Sequence, residues 1–187
     1  MEITNTLHVT NPEDWRAWLE EHYKTENEIW LVYYKKHTGQ PRIAYNDAVE
    51  QALCFGWIDS IVKKLDDDRT AQRFSSRRPE SGYSQQNIER LRYLVAQGKV
   101  IDEVRKSLGD LLEQEFIFPE DIMDAIKADE IVLENYQNFS DAYKRIRVAY
   151  IETARKRPEE FQKRLNNFIK KTRENKKIGF GGIEKYY

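Results

Sequence analysis

A chain of 187 residues with 40% apolar and 12% aromatic side chains can bury a core of its own and needs no staple to fold. Charged residues reach 34%, yet 31 Lys and Arg stand against 32 Asp and Glu, so the formal net charge of −1 excludes a global field drawing the whole molecule onto nucleic acid or anionic lipid. The single cysteine excludes an intramolecular disulfide, and Cys54, set between Leu53 and Phe55, reads as a small buried hydrophobe.

The opening MEITNTLHVTNPEDW has neither the basic start nor the apolar run of a signal peptide, and no segment approaches the ~20 apolar residues of a membrane span. A cytoplasmic protein without a membrane span is the expectation. Glu2 to Val9 predicts a short strand, followed by a helix with Asn11 as cap and Pro12 at its first position. Trp15, Trp18, Leu19, His22 and Tyr23 fall on one face of that helix. EIWLVYYKK, Glu28 to Lys36, predicts a central strand ended by a turn over 37–41. Asn46 is placed to cap a helix through Phe55, with Gly56 as its stop. WIDSIVKKL then reads as a strand, Asp66 to Asp68 as a hairpin connection, and Arg69 to Ser76 as a return strand with Arg69 and Arg73 on one face. Ser84 begins a helix stopped by Gly98, and a further helix is predicted from Asp102 to Glu113.

Beyond residue 115 the strand signals vanish and Pro119, Ser140 and Pro158 punctuate a run of helices. One presents Ile146, Ala149, Tyr150 and Ala154, the next Phe161, Leu165, Phe168, Ile169 and Thr172, as a helical hairpin requires. Charge is uneven here: Asp102 to Glu134 holds eleven acids and three bases, Lys144 to Lys177 thirteen bases and four acids, so the two runs can attract each other within one molecule.

The side chains able to read a ligand concentrate between Ala52 and Asn87. Arg69, Arg73, Arg77 and Arg78 offer guanidinium forks that grip phosphate or carboxylate, and Ser81, Ser84 and Asn87 follow at a helix start whose free N–H groups favour the same anion. The alternative is pairing of these arginines with Asp59, Asp66, Asp67, Asp68 and Glu80, with Ser84 as a plain cap. Asp59, the one carboxylate in an apolar stretch, is expected to bridge to an arginine of the neighbouring strand, an acid or base role being the alternative. Trp57 and Tyr83 offer rings that stack on a ligand or join the core. The three adjacent aspartates point in different directions, and His8, His22 and His37 are scattered without cysteine partners, so neither a metal nor a cofactor is expected. Gly179, Gly181 and Gly182 sit outside any strand and helix motif, in a tail read as a flexible or docking segment ending in Tyr186 and Tyr187. The basic residues of the last helices, among them Lys170, Lys171 and Arg173, would suit a polyanion, with a solvated, internally neutralised face as the default.

ALCFGWID, a charged hairpin, the arginine-rich RF-x-x-RRP-x-S segment and SQQN opening a helix resemble the YdeI/OmpD-associated, or bacteriocin-protection, family. The resemblance continues through Phe118 to Ile122 and through Tyr143, Arg145, Tyr150, Ala154, Arg155 and Arg164, and spans about Trp30 to about Thr172. Tyr83 stands where that family usually has a tryptophan. The resemblance implies an α+β protein: a mixed core with a small sheet and packed helices over residues 1–115, then an all-helical C-terminal domain over 116–187. It also implies a link to outer-membrane porins or to resistance against bacteriocins or cationic peptides, and carries no reaction with it. The expected function is binding of a small anionic ligand or a protein partner. The rivals are an enzyme acting on a phosphorylated or carboxylated metabolite, and nucleic-acid binding through the basic C-terminal helices.

Overall fold

The computed structural model describes residues 2–78 and 80–179, so the glycine-rich tail lies outside the described residues from Phe180 to Tyr187. The protein is α+β, with a four-stranded sheet in its N-terminal half and, among the described residues, helices alone from residue 120 onward. The chain divides into two units, Met1–Gly82 with Leu91–Gly109, and Tyr83–Arg90 with Asp110–Tyr187.

In the sheet unit, only Thr6–Leu7 of the predicted first strand pairs (β1), running parallel to β2 (Glu28–Tyr34). Helix α1 (Pro12–His22) starts as its residues dictate: the Asn11 side chain accepts the Asp14 N–H at 2.8 Å and Pro12 occupies the first turn, where no donor is missed. Helix α2 (Tyr45–Cys54) starts one residue ahead of Asn46, with Ala44 at the cap and no side-chain cap bond. It ends at Gly56, whose φ of +70° is a left-handed conformation that a residue with a Cβ rarely adopts. Strands β3 (Trp57–Lys64) and β4 (Arg69–Ser76) form the predicted hairpin, closed by the Leu65 N–H on the Arg69 carbonyl and by the Asp66 carboxylate, which accepts the Asp68 and Arg69 N–H groups.

The strand order is β1-β2-β4-β3, so β4 pairs antiparallel on both sides. Cross-strand partners share a face, which puts Ile29, Phe74 and Asp59 on one side and Trp30 and Arg73 on the other. Helix α1 covers the first side: Trp15 meets Phe74 edge-on at 5.5 Å, Trp18 meets Trp57 at 5.8 Å, and Trp15, Trp57 and Phe74 are fully buried. Each such ring contributes roughly 4 kcal/mol of transfer energy as an upper bound, so this aromatic layer is the main apolar load of the unit.

Helix α3 (Gln85–Ala96) has its first half in the helical unit and its second half in the sheet unit. Helix α4 (Asp102–Ser107) is shorter than the predicted Asp102 to Glu113, and Gly109, at φ +53°, marks where the helical path is left. The helical unit is built from α5 (Glu120–Lys127), α6 (Glu130–Gln137), α7 (Asp141–Glu152) and α8 (Pro158–Arg173). Asp129 caps α6 by accepting from Ile131 and Val132, and Ser140 caps α7 by accepting from Tyr143. Ile122, Ile126, Val132, Tyr136, Ile151 and Phe168 form its core. The acidic and basic runs meet inside this unit. Arg155 donates to Asp121 at 2.5 and 3.0 Å and Arg173 to Asp129, while Arg145 forks the buried Glu89 of α3, outside the acidic run, at 2.7 and 2.9 Å.

A Cβ at position 56 would meet Val104 Cγ2 at 3.1 Å in addition to its left-handed backbone. Gly56→Ala is therefore expected to lower unfolding free energy by about 1–2 kcal/mol in chemical denaturation, whereas Gly98→Ala, with φ +65° but open space around it, should cost only the backbone term.

Candidate anion-binding site

Strand alternation brings Arg69 and Arg73 to one face of β4, and each meets an acid there. Arg69 is held by Asp66 at 2.8 and 2.6 Å. Arg73 donates to Glu28 on β2 at 2.7 and 2.6 Å, and also to Ser75 Oγ at 3.1 Å. Arg77 sends one terminal nitrogen to the carbonyls of Ser81 and Gly82 at 2.7 and 2.9 Å, fixing the loop that follows β4. Arg78 and Ser81 are exposed.

Asp59 lies on the opposite face from Arg73, so the bridge to a neighbouring arginine is replaced: its Oδ2 accepts from Tyr45 Oη at 2.8 Å and from Gln72 Nε2 at 2.9 Å. Trp57 is buried in the core, its indole N–H on the Tyr23 carbonyl at 3.2 Å. Tyr83, Ser84 and Asn87 belong to the helical unit. There Ser84 Oγ accepts the Asn87 N–H at 3.3 Å, and the buried Asn87 accepts from Arg90 at 2.8 Å. Among the described residues no group of three or more His, Cys, Asp and Glu is placed to hold a metal ion, and no helix is long and apolar enough to cross a membrane.

A second group of basic residues surrounds a cavity of about 280 Å³ between α7 and α8 of the helical unit. Its lining follows helical spacing: Arg147, Tyr150 and Ile151 from α7, and Glu160, Lys163, Arg164, Asn167 and Phe168 from α8, with Ile178 closing one side. Arg147 is 2% exposed and lies 5.4 Å from the Tyr143 ring centroid. Arg164 lies flat on Tyr150, its guanidinium carbon 3.9 Å from the ring centroid. It donates to Glu160 at 2.8 Å, to the Tyr150 carbonyl at 2.7 Å and to Thr153 Oγ1 at 3.0 Å. That bond to Arg164 holds the Glu160 carboxyl below its ordinary range. Lys163 and Asn167, one turn apart on the exposed rim, have no hydrogen-bond partner among the described residues. The sequence analysis treats the basic residues of the last helices as one face and places Arg164 in the family resemblance, and it does not single out Arg147, Lys163, Asn167 or Ile178. The signal that could have joined them is the i, i+3, i+4 recurrence of polar and aromatic residues on two consecutive helices.

On the sheet, the bond from Arg73 keeps the Glu28 carboxyl below its ordinary range. A carboxyl whose folded value is depressed stabilises the fold above its unfolded value of ~4.3, and that contribution is lost as pH falls through the folded value. Arg73→Ala should thus cost about 1 kcal/mol at pH 7, with the gap to the parent chain closing below about pH 4 in urea titrations.

Residues 7–107 match a family model described as Domain of unknown function (DUF8412), which covers β1 through α4 and includes the GWID and arginine segments. Residues 115–175 match the model described as Bacteriocin-protection, YdeI or OmpD-Associated, which covers α5 through α8 and the lining of the cleft between the last two except Ile178. No curated protein and no solved structure matches the chain. With one match spanning more than half of its residues and the other all of the C-terminal helices, the chain belongs to the DUF8412 family and carries at its C-terminal end the helical module of the bacteriocin-protection, YdeI or OmpD-associated family.

Proposed function

We propose that this chain is a binding protein, not a catalyst, and that its ligand is a small anion held in the α7–α8 cleft. The observation that carries this reading is the pair Lys163 and Asn167, unpartnered among the described residues on the rim of a cavity that also contains the buried Arg147. In a unit where Arg145, Arg155 and Arg173 each meet a carboxylate, an ammonium and an amide left over beside a cavity are groups that an external anion can satisfy.

Binding is favoured over catalysis because the nucleophilic and carboxylate side chains singled out in the sheet unit are occupied or shielded. Burial pushes the Cys54 thiol up to about 11, far from the range of a reactive thiolate. The Asp59 carboxylate is bonded by Tyr45 and Gln72. In this reading the β4 arginines serve the sheet and its following loop, and Arg78 with Ser81 forms an exposed rim available to a partner. Nucleic-acid binding is disfavoured by the acids that already pair with Arg155 and Arg173 on the basic helices. Protection against a toxin, the role that the family description suggests, would then act by capture of a small ligand.

A thermal-shift panel of small carboxylates, sulfate and phosphates tests this. An anion present at about 100 times its dissociation constant should add about 2.7 kcal/mol to folding stability. Lys163→Glu should remove the effect while Arg69→Ala leaves it intact. A flat panel, or stabilisation that survives Lys163→Glu, would sink the proposal.

A further inference from the structure

We propose that the sheet carries a site of its own, on the face of β2, β3 and β4 beside the start of α2, and that it binds an uncharged amide group. The Tyr33 hydroxyl donates to the amide carbonyl and Asp59 accepts from the amide N–H. Strand register assembles the site. Tyr33 of β2 pairs with Thr70 of β4, and Gln72, two residues along β4, faces the same way. On β3, Val62 pairs with Gln72 and Asp59 with Phe74, so Tyr33, Gln72, Val62 and Asp59 share one face. The bond from Tyr45 to Asp59 brings the first residue of α2 to the same place.

Two hydrogen-bonding atoms here are unspent. Tyr33 is 7% exposed, and its hydroxyl is buried without a hydrogen-bond partner among the described residues, a state that costs stability. Asp59 is bonded through Oδ2, by Tyr45 Oη at 2.8 Å and Gln72 Nε2 at 2.9 Å, and its Oδ1 accepts from no group among the described residues. Burial first, then Tyr45 and Asp59, hold the Tyr33 hydroxyl well above the ordinary tyrosine range, so it keeps its proton as a donor.

These atoms set the class of ligand. Asp59 acts on the Tyr33 hydroxyl more strongly than Arg42 does, and Arg42 is exposed and tied to the Tyr34 carbonyl at 3.0 Å, so the local field opposes an anion. An ammonium would satisfy Asp59 but brings no acceptor for the Tyr33 O–H. A carboxamide supplies both. Because β4 lies between β2 and β3, Tyr33 and Asp59 approach from two sides, which suits a carbonyl and an N–H on neighbouring atoms better than one hydroxyl oxygen. Val62 and Tyr45, 57% and 46% exposed, give an apolar rim for the body of the ligand. Entry runs past Tyr45, which after burial itself acts most strongly on the Tyr33 hydroxyl and uncovers it when turned toward solvent.

Residue-resolved NMR titration of the full chain with benzamide, benzoate, benzylamine and benzyl alcohol tests the assignment. Benzamide should shift the backbone amides of Tyr33, Asp59 and Val62, and the other three probes should bind there at least about tenfold more weakly. Tyr33→Phe removes only the unpartnered hydroxyl, so its thermal stability should equal or exceed that of the parent while benzamide weakens at least about tenfold. A loss of stability in Tyr33→Phe would mean that the hydroxyl has a partner in the fold, and would overturn the site. Benzamide shifts that are absent, that survive this substitution, or that appear only around Lys163 and Asn167 would overturn it as well. Benzoate, benzylamine or benzyl alcohol equal to benzamide at these residues would overturn the amide class.

Discussion

With 31 cations and 32 acids in one chain, what an arginine or lysine can still offer a ligand depends on whether the fold has already given it a carboxylate or carbonyl partner. Arg69, Arg73, Arg145, Arg155 and Arg173 all find acids. Exposed pairs of this kind contribute little stability, but they consume the forks that would otherwise bind a ligand. Glu28 is half-buried and sits across the strand from Ser75, so Arg73 reaches it without leaving the sheet. Near-neutral composition thus becomes a positional rule in which the residues left over at a cavity matter more than the density of charge in a segment.

Alternation along β4 applies the same rule to geometry. Arg73 and Phe74 are neighbours in sequence but face opposite sides of the sheet, one toward Glu28 and the other into the tryptophans of α1. Asp59 pairs in register with Phe74 and so shares the aromatic side, where Gln72 and Tyr45 supply its bonds. A segment that looks like one constellation in sequence is split by the pleat into an ion-pair face and a core face.

The elements were legible where local chemistry specifies them. Asn11 and Pro12 predict the start of α1, Gly56 the end of α2, and the three aspartates the β3–β4 hairpin. The class, α+β with a helical C-terminal region, followed from period-2 runs giving way to helical spacing near residue 115. Less was legible where tertiary contact decides. The Glu2 to Val9 run is reduced to two paired residues, and no local signal shows that Arg73 will meet Glu28, 45 residues away. The cleft was hidden for the same reason: Arg147 and Lys163 look alike in a basic run, and only the packing of α7 on α8 buries one and leaves the other on the rim.

That burial is the most telling feature of the helical unit. Taking a guanidinium out of water costs several kcal/mol unless bonds and nearby charges repay it, and a well-packed apolar side chain of similar volume is often neutral or better for stability. Position 147 lies one turn before Ile151 on the face of α7 that meets α8, where leucine would satisfy the core. The chain instead has an arginine there, against the Tyr143 ring and in the wall of the cavity that Lys163 rims. In that low-dielectric setting the charge is screened less than those on the exposed helix faces, so it contributes more to the potential inside the cavity than Lys170 or Arg173 does.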